Sequence, residues 1–322
     1  MRCLNANPED LEIAADLLRL GALVAIPTET VYGLAADASN PDAVRAIFAA
    51  KGRPADHPVI VHLPSFSALG DWAAEVPEAA GRLAAEFWPG PLTLILSRAS
   101  HVDPVITGGQ DTIGLRVPAH PATQALLQRF GGAVAAPSAN RFGHVSPTTA
   151  EHVQAEFGDE VAAVLDGGPC EVGVESTIVD LSTEIPRLLR PGMIPTEALE
   201  HVLKVPLEVP TDEQGPRASG RLPSHYAPRA PVRLVPGKEL TQAVAMAAEL
   251  GAVAVLSHQP GPAPRPGVHW QSLPDTPAGY AHALYAALRA ADETGPAEIL
   301  VERVPDNDAW AAIADRLERA AA

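Results

Sequence analysis

Short apolar runs that stop abruptly at polar, turn-forming residues constrain this chain more than any other feature. Four such ends read Pro27-Thr28-Glu29-Thr30-Val31-Tyr32-Gly33-Leu34, Lys51-Gly52-Arg53-Pro54, Ala136-Pro137-Ser138-Ala139-Asn140 and Gly173-Val174-Glu175-Ser176-Thr177. A core needs apolar periodicity; it does not need hydroxyls, amides and cations where strands give out. Open α/β sheets hold their ligands at such strand ends. The residues therefore predict an α/β fold with an anion-binding pocket.

The remaining pattern agrees. Residues 8–20 carry helical periodicity with Gly21 as a stop, and residues 22–26 read as a short buried strand cut off by Pro27. Asn40 or Ser39 caps a helix with Pro41 at its first position. Strands are expected at 59–63, 92–97, 112–117, 133–136, 162–165, 177–181 and 187–189, and helices at 77–87, 121–130 and 148–157. Helices alternate with direct strand-to-strand steps, which favours a mixed sheet over a purely parallel one. Residues 204–237 differ in kind, with seven prolines and the polar stretch Thr211-Asp212-Glu213-Gln214-Gly215, and read as a semi-rigid linker. Strands at 232–235, 252–256 and 299–301, between helices at 238–250, 276–292 and 308–320, make a second, small α/β unit. The expected division is a first domain over 1–204, a linker over 205–231 and a second domain over 232–322.

Composition narrows the function. A net charge of −16 repels polyanions, so little direct nucleic-acid binding is expected. The first residues lack a signal-peptide pattern, and no apolar run reaches the ~18 residues of a membrane span. A cytoplasmic protein with no membrane association is expected. Cys3 and Cys170 stand alone, which indicates neither a disulfide framework nor a protein metal site. Phosphate loops of the Gly-x-Gly-x-x-Gly and Gly-x-x-x-x-Gly-Lys types are missing, as are a Gly-x-Ser-x-Gly elbow and a His-Glu-x-x-His pair. Chemistry here is expected to use binding, orientation and charge neutralisation.

Individual residues leave alternatives open. In an extended segment Lys51 and Arg53 would project the same way toward one ligand; at a helix C-terminus they would answer the macrodipole instead. His62 closes the apolar run 58–61 where a site would lie, or is a satisfied structural histidine. Ser138 and Asn140 suit phosphate or ribose oxygens, or simply a turn. Thr148 is a candidate helix N-cap, just after Ser146. Thr112, Gly114 and Arg116 share one strand face, and a strand arginine among apolar neighbours needs a carboxylate. That carboxylate belongs either to a ligand or to the protein, with Glu29, Glu171 and Glu175 as candidates.

Taken in order, the four segments resemble the YrdC-type L-threonylcarbamoyladenylate synthase family. Two further stretches extend the resemblance over nearly the whole chain. Gly220-Arg221-Leu222-Pro223-Ser224-His225-Tyr226-Ala227-Pro228 is similar to the His-Tyr-Ala-Pro motif of the two-domain form, and Tyr280-Ala281-His282-Ala283-Leu284-Tyr285 with Leu288 to its Rossmann-like second domain. The resemblance implies a YrdC-like twisted mixed-sheet domain with a positively charged cavity. It implies threonine near Thr30, His62, Arg116 and Ser176. It implies ATP near Lys51, Arg53, Thr112, Ser138, Asn140, Ser146, Arg190 and Tyr226. His57, before Pro58, stands where the family commonly has Asn, and can still offer one donor or acceptor.

The implied reaction joins L-threonine, bicarbonate or CO2 and ATP into threonylcarbamoyl-AMP and pyrophosphate. Lys51 and Arg53 would act catalytically by neutralising phosphate charge, with Mg2+ accompanying ATP. Partner proteins would then transfer the threonylcarbamoyl group to tRNA. Tyr226 either contacts the nucleotide as part of a lid or anchors the linker. Two rivals remain: a non-catalytic RNA-binding module using the same cavity, and a carbamoyl transferase of the hydrogenase-maturation type. The latter expects acylphosphatase and zinc-finger segments that this sequence does not show.

Overall fold

Two sheets, one mixed and one parallel, carry the chain. The structure, a computed structural model, describes residues 1–210, 215–220, 224–263 and 265–322. The parts of the expected linker at 211–214 and 221–223 lie outside the described residues.

Strand β1 (Arg2–Asn5) leads into α1 (Pro8–Arg19), which starts at Asn7, whose side chain accepts from the backbone N–H groups of Glu9 and Asp10. Strands β2 (Val24–Ile26) and β3 (Gly33–Asp37) follow, then α2 (Pro41–Lys51), capped by Asn40 and closed by Gly52 at φ 62°. Next come β4 (Ile60–His62), α3 (Glu78–Phe87), β5 (Leu92–Ser97), β6 (Thr112–Arg116), α4 (Pro121–Phe130) and β7 (Val134–Ala135). The first unit continues through α5 (Ala150–Phe157), β8 (Ala163–Asp166), β9 (Thr177–Asp180), β10 (Arg187–Arg190) and α6 (Thr196–Leu203). The second holds β11 (Val232–Val235), α7 (Gly237–Ala247), β12 (Val253–Ser257), β13 (Val268–Ser272), α8 (Pro277–Glu293), β14 (Glu298–Glu302) and α9 (Ala311–Ala320).

The first sheet has the order β1-β8-β2-β3-β7-β4-β6-β5-β9-β10. Parallel pairs such as β4 with β6 alternate with antiparallel pairs such as β5 with β6, so the expected mixed sheet is present. One face buries Leu34, Ile47, Val61, Leu83, Leu94 and Leu115. The other is covered by α1 and α4 through Leu18, Leu126 and Leu127 against Ile26 and Leu165. The second sheet runs β11-β14-β12-β13, all parallel. Val31, Val145 and Val174 of the first unit pack into the apolar cluster of the second, beside Tyr285 and Ile313. That apolar seam fixes the two sheets against each other.

Three strands and a helix escape the sequence reading. β3 begins inside a segment read as polar, β1 and α6 are short, and β13 is an edge strand with mostly exposed residues. Thr149, not Thr148, caps α5, accepting from the His152 N–H at 3.3 Å. The described parts of 205–231 do not span solvent. Glu208 adds to the β10 edge, Ala227 bridges to His144, and Ser219, Gly220, His225 and Tyr226 face the first sheet's strand ends. Among the described residues, no helix is long and apolar enough to cross a membrane.

Candidate active site

One cleft collects most of the polar strand ends. Residues 28–33 after β2, 136–138 after β7 and 175–176 before β9 meet His62, Arg116 and Arg190 from β4, β6 and β10. Ser219, Gly220, His225 and Tyr226 close it from the linker side. Thr28 folds the first loop, its hydroxyl donating to the Val31 carbonyl at 2.6 Å and lying 2.8 Å from Thr30 Oγ1. Gly33 permits β3 to run close to β7, since a Cβ there would lie 3.2 Å from Ala136 Cβ.

Arg116 finds a protein carboxylate. Its Nη2 donates to Glu29 Oε1 at 2.6 Å, Nη1 to Thr30 Oγ1 at 3.0 Å and Nε to the Gly90 carbonyl at 3.2 Å. Five N–H donors belong to a guanidinium, so two remain for a ligand. His62 sits opposite Arg116 in the β4–β6 register. Burial, and then the Arg116 charge, push its pKa down to about 3. It is therefore neutral, and its Nδ1 has no partner among the described residues.

Arg53 and Arg190 are different. Arg53 Nη2 donates to the Pro58 carbonyl (2.8 Å) and Ser219 Oγ (3.1 Å), while its buried Nε has no partner. Arg190 donates to Ser176 O and Ser176 Oγ, both at 3.0 Å, and to the Ser219 carbonyl at 2.8 Å. Neither pairs with a carboxylate among the described residues, although they are only 8% and 3% exposed. Burial lowers the pKa of Arg53 to about 10, still leaving it charged at neutral pH. Two buried cations with no directly bonded carboxylate suit an anion, because a buried charge is costly until an opposite charge reaches it.

Of the residues singled out in the sequence, Thr30, Arg53, His62, Arg116, Ser138, Ser176, Arg190 and Tyr226 line this cleft. Thr112 lines an adjoining one with Ile60, Ile95, Gly114 and Ser219. Lys51 lies behind the wall. It ends α2, is 2% exposed, and its ammonium donates to the carbonyls of Ser138 and Asn140. Lys51 and Arg53 therefore do not project together, because the left-handed turn at Gly52 replaces the extended segment that such a pair would need. Asn140 is turned inward, donating to the carbonyls of Arg141 (2.7 Å) and His144 (2.9 Å). Ser146 donates to Glu175 Oε1 at 2.6 Å. His57 lies edge-on to Phe142 with ring centroids 5.4 Å apart. Thr28, Ser219 and Gly220 also line the cleft and were not singled out; the Thr-Glu-Thr hydroxyl spacing was a signal for the first, and Ser219-Gly220 gave none.

The arrangement matches known proteins along its length. Residues 16–192 match the family described as "Telomere recombination" (Sua5, YciO and YrdC), and residues 194–322 match "Threonylcarbamoyl-AMP synthase, C-terminal domain". This chain belongs to the two-domain threonylcarbamoyl-AMP synthase family. The threonylcarbamoyl-AMP synthase of Pyrococcus abyssi is 42% identical over 96% of this chain and 93% of its own length. That of Bacillus subtilis is 40% identical over 99% of this chain and 94% of its own. The crystal structure of P. abyssi Sua5 complexed with L-threonine, 40% identical, superposes with a TM-score of 0.92, covering 100% of this chain and 98% of that one. The fold and the order of its segments are thus those of this family.

Proposed function

We infer that this chain is a threonylcarbamoyl-AMP synthase, joining L-threonine, bicarbonate or CO2 and ATP for the threonylcarbamoyladenosine modification of tRNA. The observation that carries the reading is a pair of buried guanidinium groups, Arg53 and Arg190, neither ion-paired to a carboxylate among the described residues, in the same cleft as Thr30, His62 and Arg116. Polyphosphate belongs against Arg53 and Arg190, with Ser138 and Tyr226 around it, and Ser176 lies on the threonine side. The threonine carboxylate takes the remaining N–H donors of Arg116. Neutral His62 accepts a hydrogen bond from the amino acid. Threonine is thereby held with its amine toward the nucleotide.

The chemistry follows from that placement. The threonine amine adds to CO2, losing a proton, and becomes a carbamate. A carbamate oxygen attacks the α-phosphorus of ATP, and pyrophosphate leaves with the electron pair of the broken P–O bond. Arg53 and Arg190 offset charge building on the phosphate oxygens, which is electrostatic catalysis in a water-poor cleft. Among the described residues no cluster of three or more His, Cys, Asp or Glu suits a metal ion; Glu175 in the cleft and Glu29 beside it are each bound to an arginine. The described residues therefore do not build a resident Mg2+ site. Mg2+ would travel with ATP on phosphate oxygens. The product is a labile mixed anhydride, so transfer proteins must consume it soon after release.

The test is direct. Incubated with ATP, Mg2+, bicarbonate and labelled threonine, the protein should release pyrophosphate only when threonine is present and form a labelled adenylate. Well-folded protein without threonine-dependent pyrophosphate release would overturn the reading.

A further inference from the structure

The second domain reaches the site through a buried cation and a buried tyrosine. Arg316, on α9, has a side chain 0% exposed. Its Nε donates to Glu175 Oε2 at 2.8 Å, its Nη2 to the Pro191 carbonyl at 3.2 Å, and its Nη1 to Asp315 Oδ2 at 2.5 Å. The guanidinium carbon lies 5.4 Å from the centroid of the Tyr226 ring. Tyr285, from α8, stacks on Tyr226 with centroids 5.7 Å apart and donates to Glu175 Oε2 at 2.8 Å. Both Glu175 and Tyr226 line the cleft.

Joining two domains does not require this arrangement. The apolar seam of Val31, Val145 and Val174 already does that, and a buried ion pair seldom improves on apolar contact. Tyr226 itself is held unusually. Its φ is 61°, a left-handed conformation rare for a tyrosine. Its hydroxyl is buried without a partner among the described residues, close over Gly220, where an added Cβ would lie 2.1 Å away. A strained backbone and an unpaired hydroxyl at the cleft make sense if that hydroxyl is kept for a ligand.

We propose that Arg316 is a positioning residue of the active site, holding the Tyr226 ring and the Glu175 carboxylate from the second domain so that the unpaired Tyr226 hydroxyl meets the nucleotide. The cation sits against the ring face, where the quadrupole attracts it, and its fork fixes the Glu175 corner beside Ser176. Glu175 stays ionised there: burial alone would raise its pKa, but Arg316 and then Arg190 outweigh burial and bring it to about 2. The second domain thereby completes the nucleotide wall. This inference rests on the synthase reading.

The experiment is a double-mutant cycle in the full-length protein, measuring ATP affinity by calorimetry and threonine-dependent pyrophosphate release. Arg316→Lys keeps the charge but loses the planar fork. ATP binding should weaken about tenfold while the KM for threonine stays within about twofold, because Arg316 bonds to none of Thr30, His62 and Arg116. In a Tyr226→Phe background the same substitution should weaken ATP binding by no more than about twofold. Equal losses in both backgrounds would overturn the proposal, as would a threonine KM that rises with the ATP Kd. Should Arg316→Lys fail to fold, Tyr285→Phe removes one hydroxyl from the same cluster. Its ATP defect should vanish in the Tyr226→Phe background, and persistence would overturn the proposal. Wild-type protein that neither binds ATP nor releases pyrophosphate sinks the functional reading and this inference together; an active wild type with additive losses sinks this inference alone.

Discussion

Lys51 and Arg53 stand two residues apart and do different work, because a helix ends between them. Both would be expected to leave thermal stability nearly unchanged on removal if they were exposed in a cleft. Their burial changes that for Lys51, whose ammonium satisfies the carbonyls of Ser138 and Asn140. Lys51→Met would strand both carbonyls, at a cost of about 2–4 kcal/mol, and disorder the turn that presents Ser138. Arg53→Met removes a cation without a carboxylate partner, and the Pro58 carbonyl it leaves keeps the Ser219 hydroxyl at 3.2 Å, so stability should change by no more than about 1 kcal/mol, while turnover should fall at least about 100-fold. Denaturant melts beside pyrophosphate assays separate the two, and equal stability losses would refute the division. The sequence held the right residue types here without their directions. Arg116 illustrates the limit: Glu29, Glu171 and Glu175 were all legible as partners, but only the fold brings Glu29 to 2.6 Å and gives Glu175 to Arg316.

At the scale of elements, local chemistry was legible where it is self-contained. Asn40 followed by Pro41 announces the start of α2, because cap geometry needs only neighbouring residues. β13 and β3 were not legible: one is an exposed edge, and the other depends on pairing with β7, far along the chain. The linker belongs to the second kind, since its proline content suggests extension but not where it lies. The described part around Gly220 and Tyr226 forms one side of the cleft, so Gly220→Ala tests whether that side acts as a lid. Gly220 has φ 80°, and an added Cβ would meet the Tyr226 hydroxyl. The substitution should weaken ATP binding about tenfold and hasten loss of the adenylate, because closed loops protect reactive intermediates from water. ATP binding and adenylate lifetime equal to those of the parent would leave the linker as a spacer only.

For the whole molecule, charge is segregated: the net charge is −16, while Arg53, Arg116, Arg190 and Arg316 are buried around the cleft and the domain seam. Such a surface does not suit duplex RNA, which needs several accessible cations and shows steep salt dependence; salt titrations should find no tight RNA binding at physiological ionic strength. Cations concentrated inside also suppress protonation of their neighbours. His62 is pushed down to about 3 by burial and then Arg116, and His225 to about 3 by burial, with Arg53, Lys51 and Arg190 adding to the effect against the opposing Glu175. In the unfolded chain both would take up protons below the ordinary histidine value of ~6.5. The folded pKa values are lowered, so between ~6.5 and ~3 the unfolded state binds more protons and stability falls as pH falls. These two groups alone bring the slope to about 2–3 kcal/mol per pH unit and remove at least about 3–4 kcal/mol between pH 7.5 and pH 5, and His57, His120 and His152, also lowered by burial, act in the same direction. Glu175, held at about 2, adds nothing until pH drops below ~4.5, where its stabilising ionisation begins to be lost. Loss that starts above pH 5 therefore reports the histidines rather than the carboxylate. Urea melts of the parent and of His62→Gln across this range should show a clearly shallower decline in the variant. A parent whose midpoint stays flat from pH 7.5 to pH 5 would mean that these imidazoles gain access to water, and that the cleft is open rather than dry.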